Sequence, residues 1–317
     1  MEIDSIQTDN LEVDGQSSGA GSNPNLFING QFDIWQRGTS VTGPISTTYS
    51  CADRWIFYDG NGTADVSRQP FTPGQTDVPA GPKYYAEYDM TVQATSGGPG
   101  IYQRIESVKT ASSEPITLSF YAKLASGTLV VTPFVSQNFG ATGSATVNTD
   151  YSSQTITLTS TWTLHTVTLQ VPSITGKTIS GGGNYLQVGF KFPLSSGTFT
   201  LSLANVKVEH GSIATPYQRI NVGEELALCQ RYYYEKAIED WRIAGNGTGT
   251  TIRFQHDHPV QMRAIPTITK TASNANNSTY GSVSGVTVDS FYSVWVADAT
   301  NSAVGINSLE WTADVEL

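Results

Sequence analysis

The tightest set of metal-capable side chains in this sequence is His256-Asp257-His258. On a strand the two imidazoles share one face and Asp257 takes the other, so a chelate needs a third ligand from elsewhere. The segment therefore reads as a polar loop or strand end, and neither a metal nor another cofactor is expected. Two carboxylate sets have the composition of a glycosidase pair: Glu235, Glu239 and Asp240, and then Asp33, Asp53 and Asp59 near Trp35 and Trp55. The first set reads as the exposed acidic face of a helix. The second reads as structural, a brace made by Asp53-Arg54-Trp55, because a guanidinium can pair bidentately with a carboxylate and an indole can fill a core. With no phosphate loop and no His-Glu-x-x-His motif in the chain, no catalytic residue is assigned and no enzymatic activity is expected.

Aromatic rings set among polar side chains point to a different chemistry. Tyr84, Tyr85 and Tyr88 are interleaved with Lys83, Glu87 and Asp89, while Tyr280, Tyr292 and Trp295 lie amid Asn and Ser. Ring faces stack on the CH groups of sugars, and carboxylates and amides bond their hydroxyls, so these six are the candidate glycan-binding residues.

Composition limits what can position them. The chain has 317 residues, enough for two domains with cores of their own, and only 14% are charged against 10% aromatic, with 30 glycines. That balance favours strands and turns. A net charge of -10 opposes attraction to nucleic acid or to an anionic membrane. Cys51 and Cys229 are the only cysteines and have no metal-ligand spacing, so two free thiols in a reducing compartment are expected. The start of the chain lacks a signal-peptide pattern and no long apolar run occurs, which leads to the expectation of a soluble protein without an export signal.

Along the chain, residues 1–24 carry few apolar groups and read as an arm that orders only against a partner. Residues 25–218 read as a sandwich of short strands: Ile116, Leu118, Phe120, Ala122 and Leu124 alternate with Thr117, Ser119, Tyr121 and Lys123, and Leu186, Val188 and Phe190 repeat the pattern. About eight such strands suggest a jelly roll. Residues 219–244 read as a linker helix, with Leu226, Cys229, Tyr233 and Ala237 on one stripe of a helix over 224–240. Strand patterns resume in residues 245–317, a second and smaller β-domain.

Three segments carry a resemblance. Asn205 to Tyr234, with its VKVE-HGS-ATP-Y and GEELALCQRYYY runs, Asn25 to Gly38 with Ala52-Asp53-Arg54-Trp55 following, and Pro259 to Thr267 with the closing Trp311 to Leu317 resemble tailed-bacteriophage fibre and receptor-binding proteins. The strand order of the first domain is also similar to that of carbohydrate-binding-module sandwiches. The phage resemblance implies a virion protein assembled in the host cytoplasm, a homotrimer, an arm held by another virion protein, and attachment to host-surface glycan through the distal Tyr280, Tyr292 and Trp295. A head or neck decoration without a receptor role is the alternative, and a glycan-degrading tailspike is a second one.

Overall fold

The computed structural model describes the backbone of residues 12–13, 16–17, 24–45, 49–246, 248–276, 278–298 and 302–317, and the side chains of 24–45, 49–237, 248–275, 278–298 and 308–317. In chain order the first elements are β1 (Glu12–Val13), β2 (Gln16–Ser17), β3 (Ser40–Thr42), β4 (Trp55–Tyr58), β5 (Thr63–Pro70), β6 (Tyr84–Val92) and β7 (Gly100–Glu106). They are followed by β8 (Pro115–Leu124), β9 (Leu129–Asn138), β10 (Val147–Asp150), β11 (Ile156–Leu158), β12 (Thr163–Gln170), β13 (Tyr185–Lys191) and β14 (Phe199–His210). A helix, α1 (Val222–Gln230), precedes β15 (Tyr233–Asn246), β16 (Thr251–Asp257), β17 (Thr267–Asn276), β18 (Ser278–Ser284), β19 (Ser290–Ala297) and β20 (Ser302–Asp314). The expected arm is described only at β1 and β2, which pair with each other; the rest of residues 1–23 lies outside the described residues.

The first unit is an antiparallel sandwich. One sheet runs β12-β8-β14-β6-β5-β3 and the other β10-β9-β13-β7-β4, with β11 also on β9. Period-two alternation turns Ile116, Leu118, Phe120, Ala122 and Leu124 inward against Leu186, Val188 and Phe190, as the sequence pattern expects, and all eight are buried. On β14 the register shifts between Ala204 and Lys207, with Asn205 in the left-handed region at φ 49°. The extra residue lets Leu201 and Leu203, and then Val206 and Val208, all face the core.

Alternation turns the other face of β8 toward water, yet two of its residues are covered. Thr117 and Ser119 are buried beneath the segment that follows β14, where the Thr117 hydroxyl donates to the Gly211 carbonyl at 2.8 Å. Lys207 and Glu209 are covered there too, paired with each other at 3.1 Å and both bonded to Thr215. The outer face of the β12-β8-β14-β6-β5-β3 sheet is thus roofed at one end and open at the other.

The helix is shorter than the sequence stripe suggests. Asn221 caps α1 by accepting the Gly223 N–H at 2.8 Å, and Glu224 and Glu225 occupy its first turn, where the helix dipole favours negative charge. The helix ends at Gln230, so the expected linker helix over 219–244 is corrected. Tyr233-Tyr234 opens a strand, and β15 pairs with β20 from Tyr233↔Asp314 onward. Aromatic strand formers with a long cross-strand partner outweigh a helical stripe of moderate formers. The buried residues of the helix are Glu225 and Cys229.

The second unit therefore begins at β15. Its two sheets, β15-β20-β17 and β16-β19-β18, enclose Ile252, Phe254, Phe291, Trp295, Leu309 and Trp311. Among the described residues the fold is all-β apart from α1, a jelly-roll sandwich followed by a smaller β-unit.

Candidate functional site

The carboxylates grouped by sequence disperse in space. Asp59 accepts the Ile45 N–H at 2.6 Å, and Asp33 faces Arg219 at 3.7 Å. Asp53 is fully buried; it accepts the Gln36 N–H at 2.6 Å and the Gln36 side-chain amide at 2.9 Å, and lies 3.6 Å from Arg37. The brace exists, but its ion pairing differs from the expected one. Arg54 pairs with Glu316 of the second unit, donates to the Arg104 carbonyl at 2.6 Å and lies over the Tyr232 ring at 3.4 Å. Arg37 repeats the arrangement, 3.4 Å from Asp314, 3.3 Å from Glu316 and 3.5 Å from the centre of the Tyr233 ring. Arg263 holds the Val315 carbonyl at 3.2 and 3.0 Å within the second unit and donates across the joint to the Gly182 carbonyl at 2.8 Å. All three segments that carry the phage-fibre resemblance meet here, and what they build is a joint between the two units.

His256 and His258 share a face, as the alternation requires, yet that face is the interior. The segment is a strand end, as read, at the close of β16, but its imidazoles are buried where a polar surface was expected. His256 stacks on Phe291 at 4.8 Å and bonds the Ser293 hydroxyl at 2.7 Å, and both rings lie within about 6 Å of Trp311. Burial holds the His256 imidazole down at about 4, helped by the Lys236 charge and opposed by Asp257. Among the described residues no group of three metal-capable side chains gathers around them. Glu235 is exposed on β15, on a strand where a helix face was expected; the side chains of Glu239 and Asp240 lie outside the described residues.

Two of the six candidate aromatics are core residues. Tyr88 is in phase with Ala86 and Met90, and Trp295 with Phe291 and Ala297, so each turns inward and is 1% exposed. That burial corrects their assignment as sugar-stacking residues. Tyr280 stands edge-on to Trp295 at 5.4 Å beneath Lys270, and Tyr292 donates to Gln255 at 3.2 Å. Tyr84 lies under Arg68 at 4.3 Å. Tyr85 stands on the outer face of the β12-β8-β14-β6-β5-β3 sheet.

There it joins two rings the sequence left unremarked. Phe71 is 4.9 Å from Tyr85 and 5.4 Å from Trp162, and Trp162 meets Tyr85 edge-on at 5.5 Å. All three are half-buried, with Lys123 Nζ 5.4 Å from the Trp162 ring. Strand register aligns Lys123, Ser202, Glu87 and Ser67 in a row beside this bridge. The next row holds Thr200, Asp89 and Asp65, with Thr200 donating to Asp89 at 2.8 Å. Burial and the Asp89 charge raise the Glu87 carboxyl above its ordinary range, and Lys123 opposes them. Alternation had put Tyr121 and Lys123 on this face, but Phe71 and Trp162 stand just outside strands and reach it only through topology.

Toward the roofed side of the same face lies a cleft of about 480 Å³ that includes Tyr121, Leu164 and Thr215, with Leu164 two residues beyond Trp162; toward the open side a shallower depression of about 450 Å³ contains Asp89, Thr198 and Thr200. A concave, aromatic-edged face with convergent carboxylates and an ammonium can hold a polyhydroxylated ligand. Among the described residues no helix is long and apolar enough to cross a membrane.

No protein-family model matches the chain, and no curated protein does. Solved structures match part of the chain at low identity. The CBM22-1 xylan-binding domain of Xyn10C from Paenibacillus barcinonensis is 13% identical, covering 61% of this chain and 98% of its own, with a TM-score of 0.35. The family 11 carbohydrate-binding module of Clostridium thermocellum, in complex with a mixed-linked tetrasaccharide, is 15% identical over 56% of this chain and 98% of its own, at 0.33. Tailspike protein 4 of bacteriophage CBA120 is 14% identical over 59% of this chain and 21% of its own, at 0.32.

Proposed function

We propose that this protein is a tailed-phage virion appendage that attaches to host-surface glycan, and that the sugar lies on the outer face of the β12-β8-β14-β6-β5-β3 sheet. The observation that carries the reading is the Phe71–Tyr85–Trp162 bridge standing beside Glu87, Asp89 and Lys123. Aromatic rings supply the stacking platform, and two carboxylates with an ammonium supply hydroxyl partners. This moves the site from the expected C-terminal aromatics to the first sandwich, because Trp295 is committed to a core. The virion role rests on the resemblance of segments that the fold assembles into one joint. The trimer and the partner for the arm belong to the same proposal.

Calorimetric titration with host-surface polysaccharide tests it. Trp162→Ala is expected to weaken binding by about 1 kcal/mol, roughly fivefold, while the melting temperature stays within a few degrees. Unchanged affinity in Trp162→Ala, or no binding by the parent chain, would refute the site. Polysaccharide incubated with the protein should yield no new reducing ends; release that disappears in Glu87→Gln would point to a glycan-degrading enzyme.

A further inference from the structure

The cleft on the roofed side of the bridge has an unusual division of polar groups. Its deepest amide, Asn205, is already spent: the side-chain nitrogen donates to the Pro79 carbonyl at 2.7 Å and the oxygen accepts from Gln31 at 3.0 Å. Thr215 is taken as well, by Glu209 and Lys207. Pro79, Leu164, Ala214 and Pro216 make apolar walls. Two hydroxyls on β8, those of Ser119 and Tyr121, make no hydrogen bond among the described residues, and strand alternation sets them side by side on this face. A sugar ring entering here would leave most of its hydroxyls without partners, whereas a group with one carbonyl and one methyl would satisfy the cleft fully.

We infer that the cleft receives the acetamido substituent of an N-acetylated sugar whose ring lies at the aromatic bridge. The inference rests on the glycan-binding reading of that face and adds its sugar class. The amide carbonyl accepts from the Tyr121 or Ser119 hydroxyl, and the methyl packs against Leu164, Ala214 and Pro216. Continuity favours this occupant: Tyr121 and Leu164 are paired neighbours across β8 and β12, and Trp162 stands two residues before Leu164. A bridge-bound sugar therefore points a substituent toward the cleft without leaving the stack.

Chitotetraose and cellotetraose differ only in carrying acetamido or hydroxyl at C2, so they isolate this contact. Titrated into the full chain, chitotetraose is expected to bind about tenfold more tightly, the sum of one buried methyl and one hydrogen bond. Ala214→Trp, which fills the cleft, should bring the ratio close to one, Tyr121→Phe should reduce it about threefold, and Trp162→Ala should weaken both ligands. Equal affinities in the parent chain, with Trp162→Ala still weakening both, would overturn the acetamido assignment and leave the glycan face standing. A preference that survives Ala214→Trp would also overturn it. If neither tetrasaccharide binds, the assignment falls, and the glycan face falls with it only if host polysaccharide also fails to bind.

Discussion

Replacing Arg54 by Met is expected to lower the stability of the full chain by about 3–5 kcal/mol, since it leaves the Glu316 carboxylate buried without its nearest cation. Arg54 is fully buried and Glu316 is only 7% exposed, so water cannot compensate. The substitution also removes the bond to the Arg104 carbonyl and the contact with the Tyr232 ring. Urea unfolding followed by tryptophan fluorescence reads the loss. Arg54→Met combined with Glu316→Leu should recover a good part of it, because the double variant has no orphaned charge at that position. A loss below about 1 kcal/mol in the single variant would mean that the pair behaves like a surface ion pair and that the joint does not couple the units.

Acidification should weaken the second unit in a window set by His256. Its folded value, about 4, lies below the ordinary 6.5 of the unfolded chain, so the unfolded state binds the proton first. The contribution is complete above pH 6.5 and is lost as pH falls through the folded value. It amounts to about 2 kcal/mol lost at pH 5 and about 3 kcal/mol at pH 4. His258, also lowered by burial, acts in the same sense. Glu225 acts in the opposite sense: burial raises its carboxyl, so its contribution favours the fold as pH falls. The difference between the parent chain and His256→Leu isolates the histidine, and parallel pH profiles for the two proteins would contradict the assignment.

Much of the sandwich was legible in the sequence because strand alternation is a local property. The inward set from Ile116 to Leu124 needed only its own spacing. The same rule misled at Thr117 and Ser119, since the segment that roofs them comes more than 90 residues later, as the Thr117 bond to Gly211 shows. The stripe over 224–240 failed for a related reason: Tyr233 fits a helix by spacing and a strand by pairing, and its partner Asp314 lies in another part of the sequence. Site residues were harder still. Clustering in sequence singled out Tyr84, Tyr85 and Tyr88, which alternation divides between two faces, while Phe71 and Trp162 are joined to Tyr85 only by the order of strands in the sheet.

The joint also bears on how the protein is made. A ribosome delivers Arg54 long before Glu316, which lies 262 positions downstream. Until that carboxylate emerges, the guanidinium has a carbonyl and a ring to rest against but not the carboxylate it pairs with directly, so the nascent first sandwich is held short of its final stability. The two units are best exchanged between proteins together, since swapping one alone separates a cation from its carboxylate.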